Sequence, residues 1–174
     1  SHQKRPKEVY GTMKLAGEIV TRGLADFYGI PYTIVRPSAV YGPTDMNRRV
    51  SQIFIEKALN KQKIKVHGKD EKLDFTYIKD IAHGAILATI KSGGVGEDFN
   101  ITHGKAHTLL DYVECLKTHF PDLSYEIVPR DEFRPKRGTL SIEKAEKLIG
   151  YSPKYSLKEG VDEYVEFIKN KRAK

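Results

Sequence analysis

Cysteine is almost missing from these 174 residues, with Cys115 standing alone. One thiol can neither close an intrachain disulfide nor build a paired-cysteine zinc site, so both are excluded and a reducing, cytoplasmic setting is expected. Long apolar runs are missing too. None approaches the roughly 18 residues of a membrane span, and the charged stretch Ser1 to Glu8 leads into no signal-peptide core, so a soluble chain without membrane contact is expected. Internal repeats and low-complexity segments are lacking as well. With 39% hydrophobic residues, the chain has enough apolar material for a globular core.

An excess of one charge is missing from the middle of the chain. The formal net charge is +7, yet residues 15–128 carry fourteen cations and fourteen anions, and the surplus lies in residues 1–14 and 129–174. A basic face running through the fold is therefore not indicated, and nucleic acid is not the expected main partner.

Apolar or small residues at Val9, Met13, Ala16, Val20, Leu24 and Phe27 recur at steps of three and four and predict a helix over 9–28, stopped by Gly29 and Pro31. Tyr32 to Val35 then reads as a buried strand ending at Arg36-Pro37. After a loop containing Gly42-Pro43, a helix beginning at Val50 is expected, then a strand over Ile64 to His67 and a β-rich run from Leu73 to Ile78. A helix around Ile81 to Thr89, a strand at Phe99 to Ile101 and a helix capped by Thr108 follow. The remaining elements are a strand at Tyr125 to Val128, a basic loop over 129–139, a short helix with Ser141 as candidate cap ending at Gly150, and a closing helix from Leu157 to Ile168. Strands separated by helices predict an α/β fold.

Tyr10 and Lys14, four residues apart, fall on one helix face. A phenol beside an ammonium is a usable acid/base. Lowering a tyrosine from about 10 to about 7 takes roughly 4 kcal/mol of preference for the phenolate, and an ammonium about 4 Å away at intermediate dielectric supplies an effect of that order. The pair alone carries little, since ten tyrosines and the lysine content produce about one such spacing by chance. Its neighbourhood carries more. Val9-Tyr10-Gly11-Thr12-Met13-Lys14-Leu15-Ala16-Gly17-Glu18 is followed by Arg36-Pro37-Ser38-Ala39-Val40-Tyr41-Gly42-Pro43 and then by Leu73-Asp74-Phe75-Thr76-Tyr77-Ile78-Lys79-Asp80.

Together these blocks resemble the extended short-chain dehydrogenase/reductase family, in particular its nucleotide-sugar epimerases and dehydratases, over nearly the whole chain. The resemblance implies that Tyr10 exchanges a proton with a sugar hydroxyl while hydride passes to or from NAD, with NADP also open. It implies that Lys14 holds the nicotinamide ribose, and that Pro37, Ser38 and Val40 lie beside the nicotinamide. It further implies a nucleotide-sugar substrate bound by Arg48, Arg49, Val66, Asn100, Arg134 and Arg137, since guanidinium forks suit a diphosphate. One departure is Leu73, where much of the family has an arginine that grips the diphosphate; Arg134 or Arg137 would take over. No metal site is expected: His103 and His107 have a zinc-like spacing, but Gly104 between them indicates a loop. Cys115 is expected to pack as a small hydrophobe.

A dinucleotide site also needs a glycine-rich turn between a strand and a helix, and no Gly-x-Gly-x-x-Gly occurs here. The unit bearing it takes roughly 30 residues. The expectation is thus the C-terminal part of a doubly wound Rossmann-type parallel sheet plus a smaller α/β substrate-binding lobe, with the N-terminal glycine-loop half absent. Residues 1–46 are expected to close the dinucleotide-binding domain and 47–174 to form mainly the substrate lobe, with 73–101 returning to the sheet. The N-terminal half of the same enzyme and a second copy in a homodimer are the expected protein partners. Two alternatives remain: a fold relative that binds RNA or another partner through its basic ends, and a simple carbonyl reductase of the same family.

Overall fold

The apolar stripe from Val9 folds into helix α1 (Val9–Tyr28), ended by Gly29 in the left-handed conformation (φ 65) with its N–H on the carbonyl of Ala25. The computed structural model describes residues 6, 8–45, 47–132 and 135–172. Strands β1 (Thr33–Pro37) and β2 (Val40–Tyr41), helix α2 (Val50–Leu59) and strands β3 (Ile64–His67), β4 (Lys72–Leu73) and β5 (Thr76–Tyr77) come next. Helix α3 (Ile78–Ile90), a short 3-10 turn at Ser92–Gly94, β6 (Glu97–Ile101), β7 (His107–Thr108) and α4 (Leu109–Lys117) follow. The chain closes with β8 (Tyr125–Val128), α5 (Glu143–Ile149) and α6 (Leu157–Arg172).

The strands join in pairs. β1 runs parallel to β6, with Thr33 opposite Glu97 and Pro37 opposite Ile101, while β3 runs parallel to β8 and β2 to β5. β4 and β7 are antiparallel, with Leu73 opposite His107. Two cores result. Phe99 and Ile101 of β6 pack with Ala88 of α3, with Ala145 and Ile149 of α5, and with Tyr151. The larger core gathers Tyr41, Phe75, Tyr77 and Tyr112 with Ile55 and Val66 and with the inner face of α6. Gly84 lets α3 sit on β6, for a Cβ there would come within 2.3 Å of Cγ2 of Ile101. Gly160 serves α6 likewise, with Oη of Tyr41 at 2.2 Å from where its Cβ would stand.

Three local expectations change. The run Leu73 to Ile78 is not one strand but two short ones, because Asp74 and Phe75 turn inward and are buried between them, and α3 already begins at Ile78. The backbone N-cap of α5 is Ile142, although Ser141 Oγ still accepts from the N–H of Glu143 at 3.4 Å. His107 lies in a strand, not a loop. Thr108 does cap α4, in a reciprocal box with Asp111.

The stripe on α1 faces outward. Val9, Met13, Val20, Leu24 and Phe27 are 52–80% exposed, and Ala25 is the helix's buried residue. Among the described residues, β1 pairs with β6 alone, which leaves its other edge open. No helix of the described residues is long and apolar enough to cross a membrane.

Candidate active site

β1 and β6 are parallel, so the loops at 38–39 and 102–106 leave the same, carboxyl, end of the pair, where ligands of open parallel sheets lie. The first loop is the turn Pro37-Ser38-Ala39-Val40. Ala39 takes φ 38, a left-handed value that costs a residue with a Cβ about 1–3 kcal/mol. Its carbonyl accepts from the N–H of Thr76 at 3.4 Å, which ties the turn to β5.

Tyr10 and Lys14 share one face of α1. Tyr10 is 69% exposed, and the Lys14 ammonium lies 5.6 Å from the centroid of its ring, within cation–π range. The ammonium therefore addresses the ring rather than bonding to the hydroxyl.

Charges rather than apolar contacts fix this helix. Arg36 of β1 holds both carboxylate oxygens of Glu18, through Nε at 2.5 Å and Nη2 at 2.6 Å, and also bonds to Asp98 of β6. Arg22 completes the network, with Nη2 on Asp98 at 2.6 Å and Nη1 on the hydroxyl of Tyr32 at 2.9 Å. The bond to Glu18 pushes the Arg36 pKa up. Partial burial pushes the Asp98 carboxyl up, but the guanidiniums of Arg22 and Arg36 outweigh it and hold its pKa below the ordinary value. Glu18 and Arg36 both stand inside the sequence blocks quoted above, so their pairing was within reach of the sequence. Asp98 carried no such signal.

Asp74 and Asp80 are buried carboxylates that bind backbone. Asp80 accepts from the N–H groups of Lys154 and Tyr155 at 2.8 and 3.1 Å. Asp74 accepts from the Thr102 hydroxyl at 3.2 Å and from the N–H groups of Gly104 at 3.2 Å and Leu140 at 3.0 Å. Neighbouring Leu73 packs against the larger core. His103 and His107 lie with ring centroids 6.1 Å apart, and burial pushes the His107 pKa down against the pull of Asp111. No group of three or more metal-ligating side chains occurs among the described residues.

A cavity of about 510 Å³ opens between 68–72, 127–130 and Lys136-Arg137. Lys69, Lys72, Arg130, Lys136 and Arg137 line it against Asp70 and Glu71, with Ile127, Val128 and Pro129 as its apolar part. Arg130 is paired with Glu71 at 2.6 Å. Of the residues assigned to substrate that the structure describes, Arg137 alone is among its lining. Arg48 and Arg49 lie just before α2, where Arg48 takes φ 46 and reaches Glu56 at 3.9 Å. The Asn100 amide donates to the Ser141 carbonyl at 3.0 Å. Val66 needs correction: its side chain is fully buried in the larger core and closed to any substrate, while Lys65 and His67 on either side face out. Arg134 lies outside the described residues. A second cavity of about 510 Å³ beside α6 has an acidic lining from Asp162, Glu163 and Glu166.

Known proteins share this fold. A crystal structure of UDP-glucuronic acid 4-epimerase from Bacillus cereus with UDP-glucuronic acid and NAD superposes with a TM-score of 0.88 at 28% identity, over 95% of this chain and 54% of that one. The UDP-glucose 4-epimerase of Thermotoga maritima, solved with UDP-glucose, gives 0.87 at 30% identity, over 97% and 55%. A dTDP-D-glucose 4,6-dehydratase of Bos taurus is 28% identical over 175 residues, which cover 96% of this chain and 49% of that protein. The chain spans about half the length of the curated relatives it matches. The model of the NAD dependent epimerase/dehydratase family matches residues 1–102, and with the shared fold and the Tyr10 and Pro37 blocks this establishes that the chain belongs to that family.

Proposed function

We propose that this chain is the C-terminal part of an NAD(P)-dependent nucleotide-sugar epimerase or dehydratase in which Tyr10 is the acid/base. One observation carries the reading: Tyr10 and Lys14 share an exposed face of a helix that Glu18 and Arg36 clamp to the strand entering the Pro37-Ser38-Ala39-Val40 turn. The residues present suit the nicotinamide end of a dinucleotide. Lys14 offers an ammonium for ribose hydroxyls, and the strained turn presents backbone groups and the Ser38 hydroxyl at the carboxyl end of a parallel strand. NAD, when bound, supplies a hydride acceptor and donor at the sugar carbon.

Tyr10 takes the proton from the sugar hydroxyl whose carbon is oxidised, and gives it back on return. Lys14, on the same helix face, holds the nicotinamide ribose beside that hydroxyl. The cavity beside Arg137 suits a nucleoside diphosphate, with five cations over two anions and an apolar part for a base. In this reading residues 1–46 and 73–101 belong to the dinucleotide-binding domain, and the rest builds the substrate lobe. An upstream half supplies the glycine-rich turn and pairs with the open edge of β1, and two copies form the homodimer.

The test is Tyr10→Phe in a polypeptide that carries both halves. Turnover of UDP- or dTDP-hexoses is expected to fall by about 10²–10⁴-fold, with nucleotide binding nearly unchanged. Unaltered turnover removes Tyr10 from the chemistry.

A further inference from the structure

Lys136 and Arg137 lie in residues 135–142, which form neither helix nor strand, and the described residues on either side of 133–134 are held by polar bonds. At the upstream end, the N–H of Gly68 bonds to the Val128 carbonyl at 2.9 Å and Arg130 pairs with Glu71. At the downstream end three bonds converge within three residues. The Thr139 hydroxyl accepts from the N–H of Ala106 at 3.0 Å, the N–H of Leu140 reaches Asp74 at 3.0 Å, and the Ser141 carbonyl accepts from Asn100 at 3.0 Å. Asp74 is the buried member of the three, 1% exposed, and it also holds Thr102 and Gly104 of the loop after β6.

We propose that Asp74 is a positioning residue for anion binding: it anchors the segment that carries Lys136 and Arg137 and so presets these cations at the rim of the cavity, though Asp74 is not itself part of the lining. This rests on the reading of that cavity as a nucleoside diphosphate site. A charged side chain on an unanchored loop must be ordered when the ligand binds, and that ordering weakens affinity. A carboxylate accepts at both oxygens and meets all three donors. An asparagine in its place turns an NH₂ toward a donor, which releases at least one of them.

The experiment is a double-mutant cycle on the whole chain, with UDP affinity measured by calorimetry for the unaltered protein, Asp74→Asn, Arg137→Gln and the double variant. Thermal melting of each accompanies it. Arg137→Gln is expected to weaken UDP binding about tenfold without moving the melting temperature. Asp74→Asn is expected to weaken it by a similar factor. The double variant should lose little more than either single one, because an unanchored Arg137 has already ceased to contribute. A merely structural role gives independent losses that multiply, and that result overturns the proposal, as does a folded Asp74→Asn variant that binds UDP normally. Should Asp74→Asn fail to fold, Thr139→Val at an exposed position carries the same cycle, with a smaller loss of about threefold that again disappears in the Arg137→Gln background. Full additivity there overturns the proposal. Absence of UDP binding by the unaltered chain overturns the diphosphate reading itself, a result distinct from a failed cycle in a chain that binds.

Discussion

Asp98 lies between two guanidiniums, so its protonation bears on stability. Its pKa in the folded chain is below that in the unfolded one because Arg22 and Arg36 together outweigh its partial burial. A depressed carboxyl favours the folded state wherever the unfolded one would bind the proton. Its contribution is therefore complete above the unfolded pKa near 4 and disappears as the pH falls through the folded value. What is lost are contacts of α1, since Asp98 takes Arg22 of that helix and shares Arg36 with Glu18. Asp98→Asn is expected to destabilise the chain at pH 7 by about 1–2 kcal/mol. It should also flatten the fall in melting temperature between about pH 5 and 3, as followed by circular dichroism. A pH slope identical to that of the unaltered chain would remove Asp98 as the acid-sensitive group.

Elements divide between local and distant causes. Gly84→Ala sets two effects against each other on α3: the helix prefers alanine by about 1 kcal/mol, while a methyl 2.3 Å from Ile101 and 2.9 Å from the Tyr151 ring meets two fully buried neighbours. Overpacking of this kind costs about 1–3 kcal/mol, so a lower urea midpoint is expected, and a higher one would show that α3 shifts freely. Signals confined to a few residues were legible in the sequence: the period and Gly29 stop of α1, the Thr108 cap of α4, the Gly150 stop of α5. The Leu73 to Ile78 run was not, because the inward turn of Asp74 depends on Thr102, Gly104 and Leu140, 28 to 66 positions away. In the candidate site, Tyr10, Lys14 and the Pro37 turn were legible as a motif. Asn100 as a pin for Ser141 was not, since that bond joins residues 41 apart. Val66 could have been placed correctly, for Ile64 and Val66 alternate with Lys63, Lys65 and His67 in a period-2 pattern that turns valine inward.

At the scale of the molecule, the two cores are closed while α1 leaves an apolar stripe in water. Val9, Met13, Val20, Leu24 and Phe27 lie along one side of it, with Tyr28 and Ile30 at its end, all more than half exposed. A contiguous patch of this kind on a single chain favours association, and the ion pairs of Glu18 and Arg22 that hold the helix in place leave the stripe available. The isolated chain is therefore expected to self-associate with rising concentration in sedimentation velocity. Leu24→Lys combined with Phe27→Lys should return it to a monomer with its helix content intact, because neither side chain takes part in the network around Arg36. Association that survives both substitutions would move the contact to Ile86 and Ile90, the exposed apolar residues of α3. A compact monomer at every concentration would mean that the stripe is too dispersed along α1 to bind anything without the open edge of β1 beside it.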